Sequence, residues 1–139
     1  MIDRNDIIGE WKLLEFEIED IKQNKKQWRA DSQGILIYTP SGYMSVSINS
    51  KIDGDQGSSI NKFNSILFYA GTYKLNENGK IIHHVTNASD PNRIGKKMIR
   101  EGTLIGDSLK LVGDGDFGIA TIIWQRIKKM CAKNSSTHV

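Results

Sequence analysis

The sequence predicts an all-β protein: an eight-stranded antiparallel up-and-down barrel with one short helix after the third strand. Three observations carry this. Short strand-like runs recur along the chain. Turn chemistry separates them at Pro40-Ser41-Gly42, Asn78-Gly79 and Gly106-Asp107. No linker or internal repeat interrupts the series. Eight strands joined by hairpins can close and abolish both edges, and a barrel of that size can hold one small ligand. A β-sandwich would use the same strands and stays open as the alternative at this point.

The elements follow in order. The first strand runs from about Ile8 to Glu19 and begins with Gly9, Glu10 and Trp11. Asp20 to Gln33 is polar and lysine-rich and reads as a long loop. Gly34 to Ser47 reads GILIYTPSGYMSVS, a hairpin with its turn written in. Pro40 presets φ for the first turn position, Ser41 suits the second, and Gly42 takes the left-handed position that closes the loop. Thr39 should pair with Tyr43, so Tyr38 and Met44 share a face, as do Leu36 and Val46. Lys51 to Ser59 is a cluster of Gly, Asp and Ser, therefore a loop.

Ser58 or Ser59 can cap a helix running to about Tyr69, because Ile60, Phe63 and Leu67 fall on one helical stripe with Ile66 beside it. Gly71 to Leu75 returns to strand, and Asn78-Gly79 joins it to Lys80 to Asn87. Met98 to Ile105 and Leu109 to Gly113 flank the Gly106-Asp107 turn, and Ala120 to Ile127 is the last strand. The expected division is a barrel domain over 1–128 and a flexible basic tail over 129–139.

Length and composition bound the function. A chain of 139 residues, 38% hydrophobic and 25% charged, is one domain able to bury a core. The lone Cys131 cannot form an internal disulfide, and the opening MIDRNDIIGEW lacks a signal-like apolar run, so a cytoplasmic protein is expected. The formal charge of +3 gathers in Lys22, Lys25, Lys26 and Arg29 and in the C-terminal tail. No stacking-aromatic motif accompanies it, so no nucleic-acid partner is expected. No stretch has the length of a membrane span, so no membrane partner is expected either. No phosphate-binding loop, dinucleotide fingerprint or nucleophile elbow is present, and no cofactor is expected. Asp53-Gly-Asp55 lacks the further ligands of a calcium loop, with Asn64 where a bidentate Glu is needed. Asp114-Gly-Asp116 reads as a turn. Adjacent His83 and His84 on one strand point to opposite faces, so they are no metal motif.

Five segments in order resemble the lipocalin-like domain family of small bacterial and fungal proteins. They are GEWKLLEFEIED, GILIYTPSGYMSV, FYAGTYKL, HHVTNASDPNRIG and the closing IIWQR, spanning Gly9 to Arg126. The resemblance implies an eight-stranded calycin-type barrel and no particular activity. It also implies that Trp11, in a Gly-x-Trp start, packs under Arg126 on the last strand and closes one end of the barrel through a cation–π stack. Gly102 departs from the family, which is expected to carry a large apolar residue there. The missing bulk would widen the lumen locally.

Alternation then places the candidate site. Ile81, His83 and Val85 share one face, and Thr86 together with the family's polar neighbours marks the other as outside. Met98, Arg100, Gly102 and Leu104 share the inward face of the next strand. An inward Arg100 needs a partner, either a carboxylate such as Glu15 or Glu17 or an acidic ligand. Tyr38 and Tyr73 add hydroxyls. The expected ligand-binding set is Tyr38, Met44, Tyr73, His83 and Arg100, for a small apolar or amphipathic molecule with a polar or acidic head. Two other readings stay open. In one, the barrel is an isomerase, cyclase or dehydratase with His83 as acid–base and Arg100 as oxyanion stabiliser. In the other, these are hydrogen-bonded residues of a filled core.

Overall fold

The computed structural model describes residues 2–20, 25–28, 32–49, 66–115 and 118–128. A four-residue helix, α1 (Arg4–Ile7), precedes the strands. These are β1 (Gly9–Asp20), β2 (Lys25–Trp28), β3 (Gln33–Tyr38), β4 (Tyr43–Asn49), β5 (Ile66–Leu75), β6 (Lys80–Ala88), β7 (Lys97–Ile105), β8 (Ser108–Gly115) and β9 (Gly118–Arg126). All pairs are antiparallel. β3 to β9 neighbour one another in chain order, and β1 pairs with both β3 and β9. Eight strands therefore form a closed up-and-down barrel without an open edge.

The turns behave as their residues dictate. Gly42 sits at φ 96°, Thr39 N donates to Tyr43 O at 2.9 Å, and Tyr38 and Leu36 pair with Met44 and Val46. Gly79 at φ 76° and Gly106 at φ 58° close the β5–β6 and β7–β8 hairpins. In β1 the apolar set slips phase, from Trp11 and Leu13 to Phe16. A bulge between Leu13 and Glu15 absorbs the slip and leaves Leu14 exposed.

Two expectations about the elements need correction. Lys25–Trp28, read as loop because it is polar, is a strand. β3 pairs only with Gly9 to Lys12 of β1, and β2 takes over along Glu17 to Asp20. The twelve-residue β1 overhangs its first partner, and its free backbone groups select a second irrespective of side-chain polarity. The second correction is at Ile66–Tyr69, expected to end a helix. These residues open β5, paired to β4 throughout. Leu67, Tyr69, Gly71 and Tyr73 alternate inward, so the period of two prevails. The start of the expected helix, the Asp53-Gly-Asp55 cluster, Asn64, Cys131 and the basic tail all lie outside the described residues.

α1 and the chain start seal one end of the barrel. Asp3 caps the helix, its side chain accepting from Asn5 N at 3.2 Å while its own N–H donates to Asp6 at 2.9 Å. Ile7 is wholly buried, and Trp11 Nε1 donates to Ile7 O at 2.9 Å. Ile2 reaches Gly102: a Cβ there would meet Ile2 Cδ1 at 3.0 Å and Ile81 Cδ1 at 3.1 Å. The space left by the small residue is thus occupied, and Gly102 does not widen the lumen. The hairpin turns at Gly42, Gly79 and Gly106 share this closed end with α1. Among the described residues no helix is long and apolar enough to cross a membrane.

Candidate functional site

β6 and β7 are neighbours, with Ile81 opposite Arg100 and His83 opposite Met98. β7 alternates throughout: Met98, Arg100, Gly102 and Leu104 are half-buried, while Lys97, Ile99, Glu101 and Thr103 are exposed. His83 is 2% exposed and His84 is on the outer face. His83 and Arg100 enter the barrel from adjacent strands, as the alternation predicts.

Both ring nitrogens of His83 are engaged. Tyr38 Oη lies 2.6 Å from Nε2, and Tyr69 Oη lies 2.7 Å from Nδ1. Burial, and then the Arg100 charge, lower the imidazole pKa to about 3. Burial likewise pushes the Tyr38 and Tyr69 hydroxyls above their ordinary value, with Arg100 pulling the other way. All three groups are therefore neutral around pH 7. An imidazole held this way is a poor proton acceptor there.

The guanidinium of Arg100 lies over Gly113 of β8. A Cβ at 113 would overlap Nη1 and come within 2.8 Å of Cζ, so the bare backbone makes the room. Nη1 donates to Ile99 O at 3.1 Å, and the guanidinium charge acts on Tyr69, pulling its hydroxyl pKa down against the effect of burial. The ion pairs among the described residues join Arg126 and Lys128 to Asp107, not Arg100 to a carboxylate.

A cavity of about 30 Å³ lies beside this cluster. Tyr69, His83, Arg100 and Trp124 contribute to its wall, and aliphatic side chains of β3, β4, β5, β8 and β9 make up the rest. The space is that of roughly one or two water molecules, far below the several hundred cubic ångströms of a drug-sized site. It fits a head group, not a whole amphipathic molecule.

The other expected ligand residues sit elsewhere. Tyr38, Met44 and Tyr73 are buried nearer the closed end and are not in this wall. The Tyr73 hydroxyl donates to Thr39 O at 2.6 Å, and its ring packs edge-on to Tyr38 at 4.7 Å. Tyr38 joins the two groups, its hydroxyl on His83 and its ring on Tyr73. Sequence reasoning missed Tyr69 and Trp124 as wall residues. Their signal was alternation: Tyr69 falls two residues before Gly71, and Trp124 lies between the inward Ile122 and Arg126.

The expected closure is present. Arg126 lies over the Trp11 ring, 4.2 Å from its centre, and donates to Ile8 O at 3.1 Å and to Asp6 O at 2.5 Å. These contacts pin α1 and the start of β1 to the end of β9.

Comparisons with known proteins place this architecture. One solved structure that resembles it is a lipocalin-like protein from Bacteroides uniformis ATCC 8492, 16% identical, with TM-score 0.51, covering 88% of this chain and 99% of that one. A second is a redesigned β-barrel, also 16% identical, with TM-score 0.50, covering 90% of this chain and 95% of that one. At such identity the likeness concerns the fold. The search of curated proteins gives no match. The family model of the lipocalin-like domain matches residues 8–127, which takes in the whole ring from β1 to the end of β9. This chain therefore belongs to the lipocalin-like domain family.

Proposed function

We propose that the barrel binds a small amphipathic molecule, its polar or acidic head at Arg100 and its apolar body along the aliphatic wall. The observation that supports this most is Arg100 itself. It is half-buried at a cavity whose wall is otherwise mostly aliphatic, and no ion pair of the described residues neutralises it. An inward cation without a carboxylate is costly unless something else compensates it. The barrel of this family suits a ligand in the lumen, and the cavity accepts the head group. The body then extends away from α1, towards the ends of β4 and β5 that carry Ile48 and Leu67.

The catalytic alternative asks His83 to carry a proton at working pH. Its two tyrosine partners and depressed pKa weigh against that role and favour binding. A cytoplasmic location is part of the proposal and rests on the single cysteine. Native mass spectrometry of the purified protein tests the reading. A discrete small-molecule adduct, lost in Arg100→Met, is the expected result. Bare protein that also shows no saturable uptake of amphipathic probes overturns it.

A further inference from the structure

We infer that the head-group site is built for a monocarboxylate, read by three donors: the Arg100 guanidinium, the Tyr69 hydroxyl and the Trp124 indole N–H. The inference deepens the binding proposal and rests on it.

The first support is Trp124. Its side chain is 1% exposed and belongs to the cavity wall. Its Nε1 is the buried side-chain polar atom left without a hydrogen-bond partner among the described residues. Buried donors are almost always paired, so an unpaired indole N–H on a residue that lines the cavity points to an acceptor from outside the chain, which a small shift of the ring would let it meet because Nε1 itself is closed off. Trp11 shows the ordinary case, with its Nε1 donating to Ile7 O.

The second support is the direction of the Tyr38–His83–Tyr69 chain. A neutral imidazole has one N–H and one lone pair, so one tyrosine donates to it and the other accepts. Tyr38 is buried outside the cavity wall, and its described hydroxyl partner is His83 Nε2. Its proton therefore goes to Nε2, which assigns the ring proton to Nδ1 and makes Tyr69 Oη the acceptor. The Arg100 charge acts on the same hydroxyl. The Tyr69 proton is left to donate, and Tyr69 is the tyrosine that lines the cavity. His83 is thus a positioning residue that orients Tyr69.

The third support is charge. The wall offers donors and one full positive charge, with Arg93 adding a weaker field at Tyr69. A single negative charge balances Arg100, whereas a dianion would leave excess charge in an apolar site. A planar carboxylate also matches the guanidinium fork and the small volume. The cavity takes the carboxylate alone, and an alkyl or aryl tail leaves it past Ile48 and Leu67, towards the ends of β4 and β5 that face away from α1.

The test compares sodium octanoate with 1-octanol, by titration calorimetry and by the indole N–H signals in proton–nitrogen correlation spectra. Trp124→Phe assigns the signal. Octanoate should bind saturably and move the Trp124 indole signal while leaving that of Trp11 in place. Octanol should bind at least about tenfold more weakly. Arg100→Met should erase that preference, and Tyr69→Phe should weaken octanoate about five- to tenfold with octanol unchanged. Equal binding of the two overturns the carboxylate inference and leaves the lumen proposal standing. Octanoate binding that leaves the Trp124 signal unmoved also overturns it. Binding of neither, by protein with a native spectrum, overturns both.

Discussion

Arg126 and Trp11 face each other across the seam where the barrel closes, paired in register between β1 and β9 and stacked at 4.2 Å. The same guanidinium holds the carbonyls of Asp6 and Ile8. Gly9, at φ 135°, passes close enough that a Cβ would lie 3.3 Å from Nη1. The glycine, the tryptophan and the arginine thus form one device, which ties the first strand, the last strand and α1 together.

Arg126→Ala should lower stability by about 1–3 kcal/mol, through the lost stack, the lost stem packing and two unpaired carbonyls. Arg126→Lys should recover only part, since a point charge cannot reproduce the planar fork. Urea melts read the difference. Coincident melts of parent and Arg126→Ala would show that the seam does not depend on this contact.

Two glycines should respond oppositely to the same substitution. At Gly71 a Cβ would overlap the His84 carbonyl oxygen, which is backbone held by the β5–β6 bulge. Backbone cannot step aside, so Gly71→Ala should cost about 3 kcal/mol, the upper end of what overpacked sites typically lose. At Gly113 the obstacle is the flexible end of Arg100. Gly113→Ala should cost under about 1 kcal/mol while swinging the guanidinium off its site. Thermal melts and octanoate titration of the pair separate the effects: stability lost in the first, affinity lost in the second.

Most of the ring is legible in the sequence because turns and alternation are local. Pro40-Ser41-Gly42 fixes the register of β3 on β4, and that register alone faces Tyr38 inward. Alternation on β6 and β7 likewise places His83 and Arg100 inside. What is not local is less legible. β2 exists because β1 outruns β3, a property of strand lengths and not of Lys25 to Trp28. Leu67 satisfies a helical stripe and a strand equally well, and pairing to β4 decides between them. Tyr69 was hidden by that ambiguity. Gly102 misleads for a similar reason, since the side chain that fills its gap comes from Ile2, a hundred residues away in sequence.

The Ile2–Gly102 contact makes a size-exchange test. Ile2→Ala should cost about 1–2 kcal/mol, less than a fully buried isoleucine because Ile2 is only half-buried. Gly102→Ala places a Cβ against Ile2 Cδ1 at 3.0 Å, tighter than ordinary contact. In the Ile2→Ala background that crowding is relieved, so Gly102→Ala should be better tolerated there by about 0.5 kcal/mol or more. Strict additivity in the double-mutant cycle would mean that the chain start does not plug the barrel.

The last prediction concerns pH and His83. Its imidazole is held down to about 3, against an ordinary 6.5, chiefly by burial and secondarily by Arg100. Between those values the unfolded chain carries a proton on this ring and the folded chain does not. The sign follows: the stabilisation is complete above about pH 6.5 and is lost as pH falls towards 3, at about 1.4 kcal/mol per pH unit from this group. In nuclear magnetic resonance the His83 ring carbons should hold their shifts from about pH 8 down to about 4.5. Arg100→Met removes the secondary cause, so it should raise the His83 pKa yet leave it below 6.5. A ring that titrates near 6.5 in the parent protein would mean that the Tyr38–His83–Tyr69 chain is open to water. The tautomer that aims the Tyr69 proton at the cavity would then no longer follow.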